Sequence, residues 1–184
     1  LIAYATSQDI DNTSPQSSVS YAGIAFANDK SVTSFEKQSL LKYAKDILLA
    51  NFGDDTQEEL LLPLITPFMK QKCGTFVTWK KPNKELRGCI GIIEATNSLI
   101  DNIRIYAQQA AFNDPRFAPI TKEEAPFVKP SITILTPFKK IKSYKEIVLG
   151  KHGIVFKNST HQAVFLPQVP IEQGWDLTTT LEQL

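Results

Sequence analysis

The sequence predicts an α+β domain, a mainly antiparallel sheet with flanking helices. Two stretches repeat apolar residues at three and four residue spacings, and several short runs alternate with period two and are joined by tight turn signals. The two kinds of segment mix irregularly, without the steady strand and helix alternation that a parallel sheet needs.

Leu1 to Thr6 and Val19 to Ala27 are β-like runs, separated by Ser7 to Ser18, a loop rich in Ser, Asp, Asn and Pro. Two strands alone are unstable, so they either add to a sheet later in the chain or end a preceding domain. Residues 28–34 have the small, polar composition of a linker, and Ser34 is placed to cap the next element. From Phe35 to Phe52, the spacing of Leu40, Leu41, Ala44, Ile47 and Leu48 predicts an amphipathic helix that Gly53 ends. Asp54 to Glu59 reads as a solvated loop, and Leu60 to Met69, broken by Pro63 and Pro67, as irregular chain.

Gly74 to Trp79 and Leu86 to Ile93 form a hairpin turning near Pro82 and Asn83. Residues 98–111 make a second helix: Ser98 and Asp101 are a capping pair, and Ile100, Ile103, Ala107, Ala110 and Ala111 line one face. Thr121 and Glu124 form another capping box, opening a short turn closed by Pro126. Ser131 to Thr136 reads as a strand, Ser143 to Val148 as a helical turn, and Gly153 to Lys157 with Gln162 to Leu166 as a hairpin through Asn158 and Ser159. Leu177, Leu181 and Leu184 suit one helix face. The chain opens on Leu1 rather than Met and closes inside that helical pattern, so it is expected to be a piece of a longer polypeptide.

Composition narrows the function classes. The 184 residues carry 20 Lys plus Arg against 19 Asp plus Glu, a net charge of +1 with no basic stripe, so nucleic acid is not the expected partner. The longest apolar stretch, Leu60 to Ile65, is interrupted by Pro63 and falls far short of the roughly 20 residues that cross a bilayer. Cys73 and Cys89 make no disulfide framework, which fits a reducing cytoplasm, and neither they nor His152 and His161 have metal-ligand spacing. No phosphate-binding loop, dinucleotide fingerprint, zincin helix or nucleophile elbow occurs, so no cofactor and no metal is implied.

Three segments carry side chains suited to chemistry. In Leu86-Arg87-Gly88-Cys89-Ile90-Gly91, glycines inside a strand mark a bulge or the close approach of another backbone or a ligand. Strict alternation turns Arg87, Cys89 and Gly91 one way and Gly88 and Ile90 the other. A guanidinium beside a thiol would stabilise the thiolate, making Cys89 a candidate nucleophile. The alternative is a Cys that is merely a small hydrophobe beside a surface cation. Only three of the basic residues are Arg, namely Arg87, Arg104 and Arg116, in a chain that otherwise uses Lys. Such selective use points to the planar fork, for an anion or for an internal bridge to Asp.

The second segment, Ala111 to Phe117, holds Asn113, Asp114 and Arg116 in the exit from the second helix. It is either a wall of a cleft facing Cys89 or a rigid turn in which Asp114 pairs with Arg116 or Arg87. The third, Phe165 to Trp175, carries Gln168 and Glu172 on a stretch stiffened by Pro167 and Pro170. It reads either as a ligand wall or as an aromatic anchor for a loop. His152 is a possible base if it reaches Cys89, and otherwise an exposed histidine before a hairpin.

Taken together, these blocks resemble the AMMECR domain family, the A component of the AmmeMemoRadiSam system. Gly74-Thr75-Phe76-Val77, Leu86 to Gly91, Ala110 to Phe117, Gly150 to Gly153 and Phe165 to Trp175 stand in the family's order, and residues 35–184 make up the similar region. Residues 1–27 resemble the last strands of a Memo-like protein, a fold similar to class III extradiol dioxygenases, and residues 28–34 would be the linker. The resemblance implies a two-lobed α+β fold with a cleft beside the six-residue motif and a C-terminus that continues further. It also implies a fused Memo-like domain and a radical SAM protein as partners, and it brings no established reaction. Two functions follow as expectations. One is an enzyme subunit with Cys89 in the cleft, beside Arg87, Gly88, Gly91, Asn113, Asp114, Arg116, Gln168 and Glu172. The other is a binding or scaffold module in which Arg87 and Arg116 hold a small anionic ligand.

Overall fold

The structure, a computed structural model, describes residues 4–6, 20–25, 32–53, 64–136, 143–157 and 162–184. In chain order its elements are β1 (Tyr4–Thr6), β2 (Ser20–Ala25), α1 (Ser34–Ala50), β3 (Thr75–Lys80), β4 (Leu86–Ile92), α2 (Leu99–Phe112), β5 (Lys129–Ile134), β6 (His152–Lys157), β7 (Gln162–Phe165), α3 (Gln168–Gln173) and α4 (Leu177–Glu182). Short 3₁₀ turns occupy Phe68–Lys70 and Tyr144–Glu146. The expected α+β class with antiparallel sheets is what the chain forms, in two compact units: Lys30–Ile134, and Leu1–Asp29 with Leu135–Leu184. The loops expected at 7–18 and 54–59, and the turn at Asn158 and Ser159, lie outside the described residues.

In the Lys30–Ile134 unit, α1 buries Leu40, Ala44, Ile47 and Leu48 as their spacing predicts, with Tyr43 in the core instead of Leu41, which is exposed. Its cap is Thr33 rather than Ser34. Thr33 Oγ1 accepts the Glu36 N–H at 3.2 Å while Glu36 Oε2 accepts the Thr33 N–H at 2.9 Å, a reciprocal box that Ser34 cannot make from inside the first turn. Ser98 caps α2 as expected, accepting the Asp101 N–H. Leu99, Ile103, Ala107 and Ala110 of α2 close on α1 and on one face of the sheet β4-β3-β5. Each large apolar side chain buried there contributes about 1.5–3 kcal/mol.

Period two assigns the faces of this sheet. Val77 and Trp79 of β3 are fully buried toward the helices, and the Trp79 indole N–H donates to the Ala107 carbonyl at 3.0 Å. Phe76, Thr78 and Lys80 therefore lie on the opposite face, with their cross-strand partners Gly91 and Cys89 on β4 and Thr133, Ser131 and Lys129 on β5. Lys45 of α1 secures the approach to β5: its ammonium donates to the carbonyls of Pro126 at 3.1 Å and Val128 at 2.6 Å.

In the other unit the sheet runs β1-β2-β6-β7, every pair antiparallel. The pairing of β2 runs from Ser20 opposite Lys157 to Ala25 opposite His152, so these residues add to a sheet formed later in the chain. Ile147 and Ile154 are buried, with Leu177, Leu181 and Leu184 packed against them, as the spacing of the three leucines predicts. The stretch expected to be merely stiff, Phe165 to Trp175, contains the helix α3. Pro167 sits at its N-cap and Pro170 in its first turn, where no backbone N–H is required, and Gly174 ends it in the left-handed region at φ 68°. Among the described residues no helix is long and apolar enough to cross a membrane.

Candidate functional site at the edge of β4

The site is built from the six-residue motif and the segment that follows α2. β4 is an edge strand, so alternate peptide groups face away from β3 and need other partners. At Cys89 side chains supply them. The Cys89 N–H donates to Asp114 Oδ2 at 2.8 Å, and Arg116 Nη2 donates to the Cys89 carbonyl at 3.1 Å. Asp114, 4% exposed, takes the Arg116 fork as well, Nε on Oδ1 at 2.9 Å and Nη2 on Oδ2 at 2.7 Å. Asp and Arg thus stand where a further strand would pair. Hydrogen bonding to Arg116 holds the Asp114 carboxyl down at about 2, with the Cys89 N–H acting the same way against burial.

Arg87 does not stand beside the thiol. Pairing passes from Trp79 opposite Gly88 to Lys80 opposite Leu86, so Arg87 is the extra residue of a β-bulge and the alternation that would align it with Cys89 is broken there. Its guanidinium forms a bidentate pair with Glu124, Nε to Oε1 at 3.0 Å and Nη2 to Oε2 at 2.8 Å. Nη1 donates to the Ala118 carbonyl at 2.8 Å and Nη2 to that of Pro119 at 3.1 Å. Glu124 also accepts the Thr121 N–H at 3.0 Å, closing the capping box read from the sequence, and Arg87 holds its carboxyl below the ordinary range. The planar fork serves an internal bridge and not an open cation.

The cation nearest Cys89 is Arg116, which also lies over the Phe117 ring at 5.5 Å. Cys89 Sγ lies 3.0 Å from Thr78 Oγ1, on the opposed residue of β3. Burial pushes this thiol up from its ordinary value. The Thr78 hydrogen bond, Arg116 and Lys80 act in the opposite sense without reversing it.

Both glycines of the motif have steric reasons. A Cβ on Gly88 would overlap the Ala110 carbonyl of α2, so this residue is where helix and strand backbones touch. A Cβ on Gly91 would overlap the Thr75 carbonyl oxygen and the Phe76 ring.

Of the residues singled out by sequence, Cys89, Asp114 and Arg116 come together here, with Gly88 and Gly91 shaping the strand. Asn113 is exposed and serves as the C-cap of α2, its N–H donating to the Gln109 carbonyl at 2.9 Å. Gln168 and Glu172 lie on α3 of the other unit; Gln168 Oε1 is buried without a hydrogen bond, and Glu172 is exposed. His152 is not exposed. At 5% exposure it begins β6, and its Nδ1 accepts the Val148 N–H at 3.0 Å, which fixes a turn. The reading by spacing missed Thr78, which only the strand register could reveal, and the link from Glu124 to Arg87, hidden by the bulge. Among the described residues no group of three His, Cys, Asp or Glu could hold a metal ion.

A solved structure shares this fold, and several proteins are similar in sequence. A crystal structure of an uncharacterised protein from Pyrococcus horikoshii superposes with a TM-score of 0.64 at 28% identity, covering 75% of this chain and 72% of that one. An uncharacterised Arabidopsis thaliana protein is 36% identical over 152 residues, 77% of this chain and 68% of that protein. A Nanoarchaeum equitans protein is 42% identical over 114 residues, 59% of this chain and 63% of its own length. A Methanopyrus kandleri protein is 42% identical over 119 residues, 60% of this chain and 58% of its own. The chain thus spans about three fifths of the archaeal relatives. Since the AMMECR1 family model also matches residues 41–184, through the β4 motif, the Asp114 segment and α3, this chain belongs to the AMMECR1 family.

Proposed function

We propose that this chain is a non-catalytic module that binds a ligand or presents a substrate, rather than a cysteine enzyme. One observation carries the reading: the guanidinium groups that would activate the thiol are already spent on carboxylates and carbonyls. Arg87 is consumed by Glu124 and two carbonyls, Arg116 by Asp114 and the Cys89 carbonyl, and burial pushes the thiol up from its ordinary value. A nucleophilic Cys needs the reverse, a thiolate stabilised by an unspent cation or a base.

The resemblance supplies the setting. In it, the module belongs to an AmmeMemoRadiSam-type system in the cytoplasm and acts with a Memo-like domain and a radical SAM protein, while residues 20–25 of this chain pair with β6. The test is alkylation by iodoacetamide at neutral pH, with Cys89 and Cys73 followed separately by peptide mass spectrometry. Cys89 should react more slowly than an unstructured thiol of pKa about 8.5. A rate about tenfold above that reference would reinstate the enzyme.

A further inference from the structure

The Arg116 guanidinium is pinned along one edge, Nε and Nη2 to the Asp114 carboxylate at 2.9 and 2.7 Å and Nη2 to the Cys89 carbonyl at 3.1 Å. One of its faces lies over the Phe117 ring, 5.5 Å from the centroid. The side chain is nevertheless 56% exposed, which leaves the face turned from Phe117 and the Nη1 edge to solvent. Asp114 neutralises the charge. What stays available is a flat group already fixed in one rotamer, which loses little entropy when a second flat group settles on it.

The strand beside it is open at the next position. The Cys89 peptide groups point outward to Asp114 and Arg116, so alternation turns those of Gly91, two residues on, the same way. No described residue takes the Gly91 N–H or C=O on that side. A donor and an acceptor so placed pair with one residue of an extended chain. From Gly91 such a chain reaches the guanidinium within one or two residues of about 3.3 Å each.

Resting on the binding-module reading, we propose that this edge of β4 binds an extended peptide carrying an aromatic side chain. The peptide backbone pairs with Gly91, and its ring stacks on the open face of Arg116, a third layer over Phe117. The Asp114 clamp stops the pairing at Cys89, so the backbone contributes one residue pair and the ring supplies the rest. Recognition is by plane rather than by charge, which is why an Arg already neutralised by Asp114 serves and a Lys would not. An aliphatic side chain finds only the backbone bonds. Sealing Cys89 uses the edge of the guanidinium and stacking uses its face, so the two do not compete.

The experiment is an NMR titration of the whole chain with the blocked tripeptide acetyl-Thr-Tyr-Thr-amide and, separately, acetyl-Thr-Leu-Thr-amide, following backbone amides and the Arg116 Nε–H. Saturable shifts at Gly91 and at that Nε–H are expected, with the tyrosine peptide bound about fivefold more tightly, the scale of one cation–π contact. Arg116→Lys keeps the charge and loses the plane, so it should bring the two peptides to equal affinity. The comparison on the parent chain needs no variant to fold. Equal affinity there, shifts that miss Gly91, or a preference that survives in a folded Arg116→Lys overturns the site. Tighter binding of adenosine than of the tyrosine peptide overturns the peptide as its occupant. Alkylation keeps the two proposals apart: an inert Cys89 without peptide binding removes this site alone, whereas a fast Cys89 with peptide binding removes the module reading and leaves the site standing.

Discussion

Asp114 accepts hydrogen bonds from the Cys89 N–H and from both the backbone and the fork of Arg116, while almost wholly out of water. Its folded carboxyl, at about 2, lies below the ordinary 3.8, so its contribution is present above the unfolded value and is lost as pH falls through the folded one. Asp114→Asn should therefore cost about 1–2 kcal/mol at neutral pH, discounted because the Arg116 side chain is half exposed. Chemical denaturation of parent and variant should show that gap closing between about pH 4 and pH 2. A gap constant across that window would refute the assignment. The sequence offered Asp114 two arginine partners, Arg116 and Arg87, and left the choice between them open; the structure pairs it with Arg116. The true partner of Arg87 was illegible, since Glu124 is distant in sequence and only a bulge turns the guanidinium toward it.

The elements were the most legible level. Apolar spacing located α1 and α2 to within about two residues, and turn chemistry placed the β3–β4 and β6–β7 hairpins. What escaped was α3, because two prolines argue against a helix unless both fall where its first turn has no bond to lose. Gly88 shows why the motif is written as it is. The Ala110 carbonyl occupies the volume a methyl group would need, and it is backbone in the last turn of α2, so it cannot rotate away as a side chain would. Gly88→Ala should lower stability by about 1–3 kcal/mol through separation of α2 from β4, seen as a lowered denaturation midpoint with the Cys73 environment little changed. A neutral result would mean that helix and strand do not meet backbone to backbone.

At the scale of the molecule, the two compact units are each closed by a different part of the chain: the Lys30–Ile134 core by segments consecutive in sequence, the other by Leu1–Asp29 together with Leu135–Leu184. Composition could only leave open whether the opening strands join a later sheet, because pairing between distant segments leaves no local trace. Removing residues 1–29 would take β1 and β2 from the sheet and make β6 an edge. Hydrogen exchange should then quicken at residues 152–157, while α2 and β3 keep their protection. Unchanged exchange in β6 would show that β2 does not pair there. The sealing of Cys89's outward peptide group by a carboxylate and a guanidinium has one more consequence. Uncapped sheet borders recruit foreign chains, so variants at Asp114 or Arg116 risk intermolecular association before any ligand is added. Losses of function in such variants are meaningful only beside a sedimentation or light-scattering record of their mass.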